Sequence, residues 1–352
     1  MMVLLAHFLS SFTLLLPGMR FVESYAHGTY GVDIFFVLSG FILAYVYSAA
    51  QLDLTFASYS KFLWFRLARI YPNHIATLGV LIVMVAVGRW KGMPIEGDYP
   101  VNRLGFEFTL TQSWPIVSIA GFQGIEGWNY PSWSISAEWF AYLCMFPLCW
   151  LFLLRHYRLY TYVIMCYVAL GVWVELMYSG RLPSFVALTQ VSCEFVAGSA
   201  LFGVYSTSPT TARFFQQLLA GTTALIIVVL SPLFAKYDYV RGAFIFLIPP
   251  LLLGLTAETS VIARILSTRF ALLLGRISYA LYMSHAVVQK ILKVLLPSQR
   301  YAASPLFLRT GILITDFLLI FTSASLLYYF VEIPCRNLMR VWFQKWHLRK
   351  QR

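Results

Sequence analysis

Three ionisable side chains lie inside long apolar runs of the sequence, where a charge is costly. His7 is surrounded by leucine, alanine and phenylalanine. Asp33 lies three residues after the start of the apolar run 30–48, and Glu138 lies in a run that is otherwise uncharged. A charged side chain at the centre of a bilayer costs about 2.5–3.5 kcal/mol on insertion scales, and chains that keep one usually use it. A histidine flanked by carboxylates is a general-base arrangement. The three residues therefore predict a catalytic site at membrane depth.

Each of the three residues also has a purely structural interpretation. His7 fits a core residue, because a histidine in an apolar helix is often one. Asp33 fits an acid in the first turn of a helix, where the helix dipole stabilises it. Glu138 could form an ion pair with an arginine such as Arg276. At 1.5 Å per residue, we expect Asp33 about 5 Å, Glu138 about 10 Å and His7 about 15 Å below the outer surface. All three residues would then lie in the outer half of the membrane, which favours the catalytic interpretation.

The composition indicates a polytopic membrane protein. Of the 352 residues, 60% are hydrophobic and 11% are charged, whereas soluble domains carry roughly 25% charged residues. The net charge of +12 belongs mostly to short loops and the C-terminal tail, which fits positive-inside anchoring better than nucleic-acid binding. The five cysteines lie in or beside apolar runs without metal-ligand spacing and are interpreted as core residues.

The apolar runs predict an all-α transmembrane bundle of about ten helices, because lipid cannot satisfy a free backbone. A transmembrane domain would occupy 1–335 and a basic cytoplasmic tail 336–352. The predicted segments are 1–17, 30–48, 75–88, 132–154, 159–178, 184–205, 215–231, 240–255, 271–296 and 306–331.

The distribution of lysine and arginine sets the expected orientation. With both termini in the cytoplasm, the inner loops and tail hold more basic residues than the outer loops. The longest loop, about 89–131, then lies outside, where it could cap a site. His74 falls in an inner loop, just before the third segment.

A basic element precedes that third segment on the predicted inner side. Arg66 and Arg69 stand three residues apart, so they share one face of a helix and are able to clamp phosphates. Positive-inside anchoring explains the same two residues equally well.

The order of five elements resembles acyltransferase family 3, the bacterial multi-pass membrane enzymes that O-acylate extracytoplasmic glycans and lipids. Each element matches a motif of that family at its expected place along the chain. The elements are Gly31–Phe41 (GVDIFFVLSGF), Arg66–Pro72 (RLARIYP), Trp133–Tyr142 (WSISAEWFAY), Leu274–His285 (LGRISYALYMSH) and Phe330–Pro334 (FVEIP). A weaker match is Glu194–Gly198 (EFVAG).

This resemblance implies a reaction and a set of roles. The donor would be cytoplasmic acyl-CoA, with acetyl-CoA favoured, and the acceptor a hydroxyl of an extracytoplasmic carbohydrate or lipid-linked glycan at the bacterial inner membrane. No bound cofactor and no metal are expected. The implied catalytic residues are His7, Asp33 and Glu138; the donor-binding residues are Arg66, Arg69 and Tyr71; and the substrate-lining residues are Ser39, Trp133, Ser136, Arg276, Tyr279 and His285.

Two other function classes stay open at this stage. Intramembrane acids with a histidine also mark proton-coupled transporters, and a catalytically impaired scaffold is a further alternative. In the family, an arginine stands eleven positions before the histidine of the first helix. The position eleven before His7 precedes Met1, so this arginine is missing from the sequence and a scaffold is considered. We therefore expect the native reading frame to begin at least a dozen residues upstream.

Overall fold

The computed structural model describes most of the chain, with gaps between the helices. It describes residues 16, 28–49, 55–93, 99–122, 127–153, 157–179, 186–207, 213–236, 238–257, 261–295, 298–301 and 303–350. His7, and with it nearly all of predicted segment 1–17, lies outside these residues.

All regular secondary structure in the described ranges is helical, which confirms the expected fold class. The helices are α1 Gly28–Ala49, α2 Phe56–Trp90, α3 Leu104–Phe108, α4 Pro115–Ile119, α5 Ser132–Leu153, α6 Leu159–Ser179, α7 Val186–Thr207, α8 Arg213–Lys236, α9 Asp238–Leu255, α10 Val261–Leu266, α11 Arg269–Leu295, α12 Ser298–Tyr301, α13 Leu306–Leu327 and α14 Ile333–Lys350. A π-turn, Tyr328–Glu332, joins α13 to α14 without a break.

Seven helices within the described ranges are long and apolar enough to cross a membrane. They are α1, α2, α5, α6, α7, α11 and the continuous helix that begins with α13; α8 and α9 contain shorter apolar stretches. Nine of the ten predicted segments thus correspond to helices. The polytopic membrane architecture is confirmed.

The predicted third segment, 75–88, was too short, because α2 begins at Phe56. Its first half carries Arg66 and Arg69, and its centre carries Asn73 and His74. These residues lower the local hydropathy even though the helix continues through them. His74 consequently lies inside a membrane-type helix with no exposed surface, and its assignment to a loop was wrong.

The described residues form two compact units. The first takes those within Gly18–Leu52 and Phe140–Arg276, and the second takes those within Asp53–Trp139 and Ile277–Arg352. The unit boundaries fall within α5 and α11, so Glu138 belongs to the second unit and Asp33 to the first.

Each unit has its own apolar core. In the first unit, α1, α6, α7 and α9 pack together, with the rings of Tyr30 and Phe244 stacked 4.3 Å apart. In the second unit, Leu78, Leu81 and Val85 of α2 pack against aromatic residues of the following loop, among them Trp128.

Candidate active site

A buried carboxylate joins α2 to the end of the chain in the second unit. Glu332, in the π-turn before α14, has no exposed surface. Its Oε1 atom lies 2.6 Å from Nη1 of Arg69 and 3.4 Å from Nη1 of Arg336, and its Oε2 atom accepts a 2.7 Å hydrogen bond from Nδ2 of Asn73. Charge-assisted hydrogen bonds of this length are among the stronger polar contacts in proteins. The pair fixes the middle of α2 to the final helix.

The π-turn that carries Glu332 has a local cause. Pro334 has no N–H, so the ordinary bond four residues back to Phe330 cannot form. The backbone N–H of Ile333 instead donates to the carbonyl of Tyr328, five residues back. Such single π-turns occur frequently at functional sites.

Tyr279 of α11 stands beside this ion pair. Its hydroxyl donates to the backbone carbonyl of Ile70, and the guanidinium of Arg69 lies 5.7 Å from the centroid of its ring, within cation–π range. Ser134, one turn before Glu138 on the same face of α5, lies 2.8 Å from Tyr282, which is one turn from Tyr279 on α11. The structure therefore brings together Arg69, Tyr279 and Glu138, which the sequence had assigned to donor binding, substrate lining and catalysis.

The first turns of α5, which carry Glu138, are held by hydrogen bonds to other elements. The hydroxyls of Ser134 and Tyr282 lie 2.8 Å apart, and that of Tyr282 donates to the carbonyl of Pro131. Ser136 donates to the carbonyl of Leu110 over 2.9 Å and accepts from the backbone N–H of Ser113. Trp133 is half-buried. The Ser136 hydroxyl, predicted to line the substrate, thus anchors the preceding loop to α5.

That preceding loop runs alongside α2 instead of only covering its Trp90 end. The hydroxyl of Tyr71 donates to the carbonyl of Phe108 over 3.1 Å, and His74 Nε2 lies 2.9 Å from the carbonyl of Glu107. At 1.5 Å per residue, Tyr71 is about 28 Å along the axis from Trp90. The loop then returns, and Asn129 donates to Thr77 and to the carbonyl of Met283.

Because the loop returns along α2, the position of Glu138 has to be measured from the Trp90 end of α2 and not from the start of α5. Asn129 lies level with Thr77, which is about 20 Å from the Trp90 end of α2. The helix α5 starts three residues later, and its Ser134 meets Tyr282, so the chain runs along α11 from Met283 towards Tyr279, whose hydroxyl meets Ile70. Glu138 therefore lies at the level of the Arg69–Glu332 pair.

A second buried acid, Glu107, fastens the loop. Its side chain has no exposed surface, and its Oε1 atom accepts a 2.9 Å hydrogen bond from the backbone N–H of Trp128. Burial raises the pKa of Glu107 to about 7, although the Trp128 N–H and the charge of Arg103 act in the opposite direction. A Cβ at position 127 would lie 2.1 Å from Oε1, so a side chain there would displace the Glu107 carboxylate.

Asp33 belongs to a separate polar cluster in the first unit. Its Oδ1 atom accepts a 2.7 Å hydrogen bond from Nε2 of Gln190, which also lies 3.5 Å from Oε1 of Glu194. Asp33 and Glu194 have no exposed surface. About two turns further on, Gly40 of α1 and Gly198 of α7 permit direct backbone contact between the two helices. Ser39, predicted to line the substrate, is half-buried beside this crossing.

Two further predicted lining residues have different surroundings. His285 is 1% exposed, and its Nδ1 donates to the carbonyl of Tyr282 over 2.6 Å, while its ring meets that of Tyr130 edge-on. The side chain of Arg276 is exposed. Arg66 is half-buried, with its guanidinium 5.9 Å from the centroid of the Phe62 ring.

Several residues of this arrangement were not assigned a role from the sequence. Glu332 was visible in the closing FVEIP motif, and Asn73 and His74 follow directly on the basic element. Gln190 lies one turn before the weak EFVAG match. For Gln190, a polar residue within an apolar run was the available signal, because burial without a partner is costly. Asn73, His74 and Glu332 lie just outside the predicted apolar runs, so their place in or beside the matched motifs was the available signal.

The motifs that carry this arrangement belong to a known family. The family model described as an acyltransferase domain, Acyl_transf_3, matches residues 1–333. The chain belongs to acyltransferase family 3. Members of this family have in common an acyl donor and an acceptor, and this member is integral to a lipid bilayer through its apolar helices.

One curated relative is similar over part of its length. The acyltransferase MdmB of Streptomyces mycarofaciens is 39% identical over 133 residues. These residues are 36% of this chain and 30% of the relative, so the chain matches less than a third of that protein. No solved structure matches the chain.

Proposed function

We propose that the protein transfers an acyl group, with acetyl favoured, from cytoplasmic acyl-CoA to a hydroxyl of an extracytoplasmic carbohydrate or lipid-linked glycan. Membership of acyltransferase family 3 supports the reaction class. The observation that carries the proposal is the polar layer in the second unit, where Arg69 lies over the Tyr279 ring and Glu138 follows one turn after the contact between Ser134 and Tyr282. Positive-inside orientation supports the bacterial inner membrane with both termini in the cytoplasm.

The reaction requires one proton transfer and one bond exchange. The acceptor oxygen forms a bond to the acyl carbon, the carbon–sulfur bond breaks, and the hydroxyl proton ends on the CoA thiolate. We assign the general base to His7, with Asp33 and Glu138 as the carboxylates able to support an imidazolium. An acyl group carried transiently by His7 is the alternative course.

Donor binding is assigned to the basic element of α2. Arg69 is 37% exposed, and towards the described residues it uses only Nη1 among its nitrogen atoms. A guanidinium carries five N–H donors, so Arg69 retains donors for an anion. Arg66 and Tyr71, on the same stretch of α2, complete the proposed phosphate-binding element.

The test is acyl transfer by purified protein. The protein in nanodiscs is supplied with isotope-labelled acetyl-CoA and a polysaccharide and lipid extract of the host envelope, and both free CoA and labelled product are measured by mass spectrometry. His7→Ala and His7→Gln should each lower product by about 100-fold or more, as expected for loss of a general base.

Two outcomes would contradict this proposal. Near-normal product from either His7 variant, with normal membrane insertion, would contradict the assignment of His7 as the general base. Proton uptake by proteoliposomes without any CoA release would favour a proton-coupled transporter instead.

A further inference from the structure

The carboxylate of Glu332 occupies only part of the Arg69 guanidinium. Arg69 meets Glu332 through Nη1 alone, and no described residue accepts a hydrogen bond from its Nη2 or Nε atoms. Nη2 and Nε form one edge of the planar group. That edge is suited to two parallel hydrogen bonds with a phosphate.

Two contacts fix the orientation of this edge. Glu332 holds Nη1 from one side, and the ring of Tyr279 lies against the guanidinium. Tyr279 is itself held by its hydrogen bond to the carbonyl of Ile70. Glu332 is held in turn by Asn73, so both orienting groups are themselves hydrogen-bonded, and Glu332 is fully buried. An arginine fixed in this way loses less side-chain freedom when it binds an anion.

The local charge balance still favours an anion. Glu332 and Glu138 contribute two negative charges, whereas Arg66, Arg69 and Arg336 contribute three positive charges on the same part of the second unit. The carboxylate therefore orients Arg69 without cancelling the positive charge of this region.

We propose that Glu332 is a positioning residue for the acyl donor: it holds Arg69 so that the Nη2–Nε edge binds the nucleotide phosphates of acyl-CoA. This inference rests on the proposed function and adds a residue that contacts no substrate itself. It assigns a role to the carboxylate of the closing FVEIP motif.

The experiment compares two donors in the unaltered protein and in variants. Acetyl-CoA carries the nucleotide phosphates, and S-acetylpantetheine carries the same thioester without them. Glu332→Gln keeps the size of the side chain but loses its charge, so Arg69 should be less well oriented. We expect the KM for acetyl-CoA to rise about 10-fold while kcat changes less than 2-fold, with the KM for S-acetylpantetheine unchanged.

Two further variants separate positioning from structural support. Lys61→Gln removes an exposed cation of α2 whose Nζ lies over the ring of Phe65 and not against Glu332, and it should leave the KM for acetyl-CoA within 2-fold. The double variant Arg69→Glu with Glu332→Arg restores an ion pair. It moves the guanidinium from α2 to position 332, in the π-turn before α14. If the pair is only structural, the exchange should recover both thermal stability and KM; positioning predicts recovery of stability alone.

The outcomes distinguish this inference from the proposed function. An equal rise of KM for both donors in Glu332→Gln, or an unchanged KM for acetyl-CoA, would overturn the positioning role while leaving acyl transfer intact. Full recovery of KM in the exchange variant would overturn it as well. No CoA release from the unaltered protein would overturn the proposed function, and this inference with it.

Discussion

Gly198 of α7 lies in direct contact with the backbone of α1: a Cβ at Gly198 would stand 1.9 Å from the carbonyl oxygen of Val37. The contact is reciprocal, because a Cβ at Gly40 would stand 2.1 Å from the carbonyl oxygen of Phe195. Close approach through small residues is a common means of helix association in membranes. This crossing holds the two helices that carry Asp33 and Gln190.

Gly198→Ala should therefore destabilise the first unit. Backbone atoms cannot move aside as a flexible side chain would, so we expect a loss of about 3 kcal/mol, at the upper end of overpacking costs. The measurement is the thermal unfolding midpoint of detergent-purified protein. Gly171→Ala is the matched control, because a Cβ there meets nothing within 4 Å. Equal midpoints for the two variants would show that α1 and α7 accommodate the added methyl group without loss of stability.

Removal of either proposed catalytic carboxylate should lower kcat more than it changes KM. Glu138→Gln and Asp33→Asn keep side-chain volume but lose the charge that would stabilise an imidazolium, and we expect losses of about 10- to 100-fold. Steady-state kinetics with acetyl-CoA give both constants. Asp316→Asn is the control, since Asp316 is a buried acid of α13 outside the proposed site.

The contact between Asp33 and Gln190 offers a further control for that prediction. Gln190→Leu removes the hydrogen bond to Asp33 but leaves its carboxylate in place. If Asp33 acts in catalysis, Gln190→Leu should retain more activity than Asp33→Asn. Similar activity and similar stability in both variants would indicate a structural role for Asp33.

Loss of the basic element of α2 should weaken donor binding. Arg66→Gln and Arg69→Gln should each raise the KM for acetyl-CoA about 10-fold and lower kcat by less, because each removes one of the two cations that share a helix face in the proposed phosphate-binding element. Lys61→Gln, which removes an exposed cation from the same helix, is the control. If all three variants reduce membrane insertion and none changes KM, the arginines serve as anchors.

The buried acid Glu107 predicts a specific dependence of stability on pH. Its pKa of about 7 in the folded protein lies above the ordinary value of 4.5, so the folded state retains a proton that the unfolded state releases. The contribution of Glu107 to the free energy of unfolding is fully present below about pH 4.5 and is lost as pH rises to about 7. The shift corresponds to a loss on the order of 3 kcal/mol.

Glu107→Gln should remove this dependence, because an amide stays neutral at every pH while its oxygen can still accept from the Trp128 N–H. We expect the variant to lose less stability than the unaltered protein between pH 5 and pH 8. Unfolding midpoints at both pH values provide the measurement. Parallel losses in the two proteins would assign the pH dependence to other groups.

The identity and approximate extent of most helices followed from the sequence alone. Hydropathy is a local property of the chain, and a helix in lipid satisfies its own backbone, so apolar runs such as 30–48 and 159–178 correspond closely to α1 and α6. The acids Asp33 and Glu138 were recognised for the same reason, because each interrupts an apolar run. The family motifs placed a role on the residues around them.

The partners of those residues depended on the tertiary structure. Arg69 meets Glu332 from the far end of the chain, and Asp33 meets Gln190 from α7. The early start of α2 was missed because its arginines, Asn73 and His74 lower local hydropathy, and only contacts with Glu332 and the 99–131 loop show that they are accommodated within a helix. Pairing between distant residues leaves no local pattern, so the fold alone decides it.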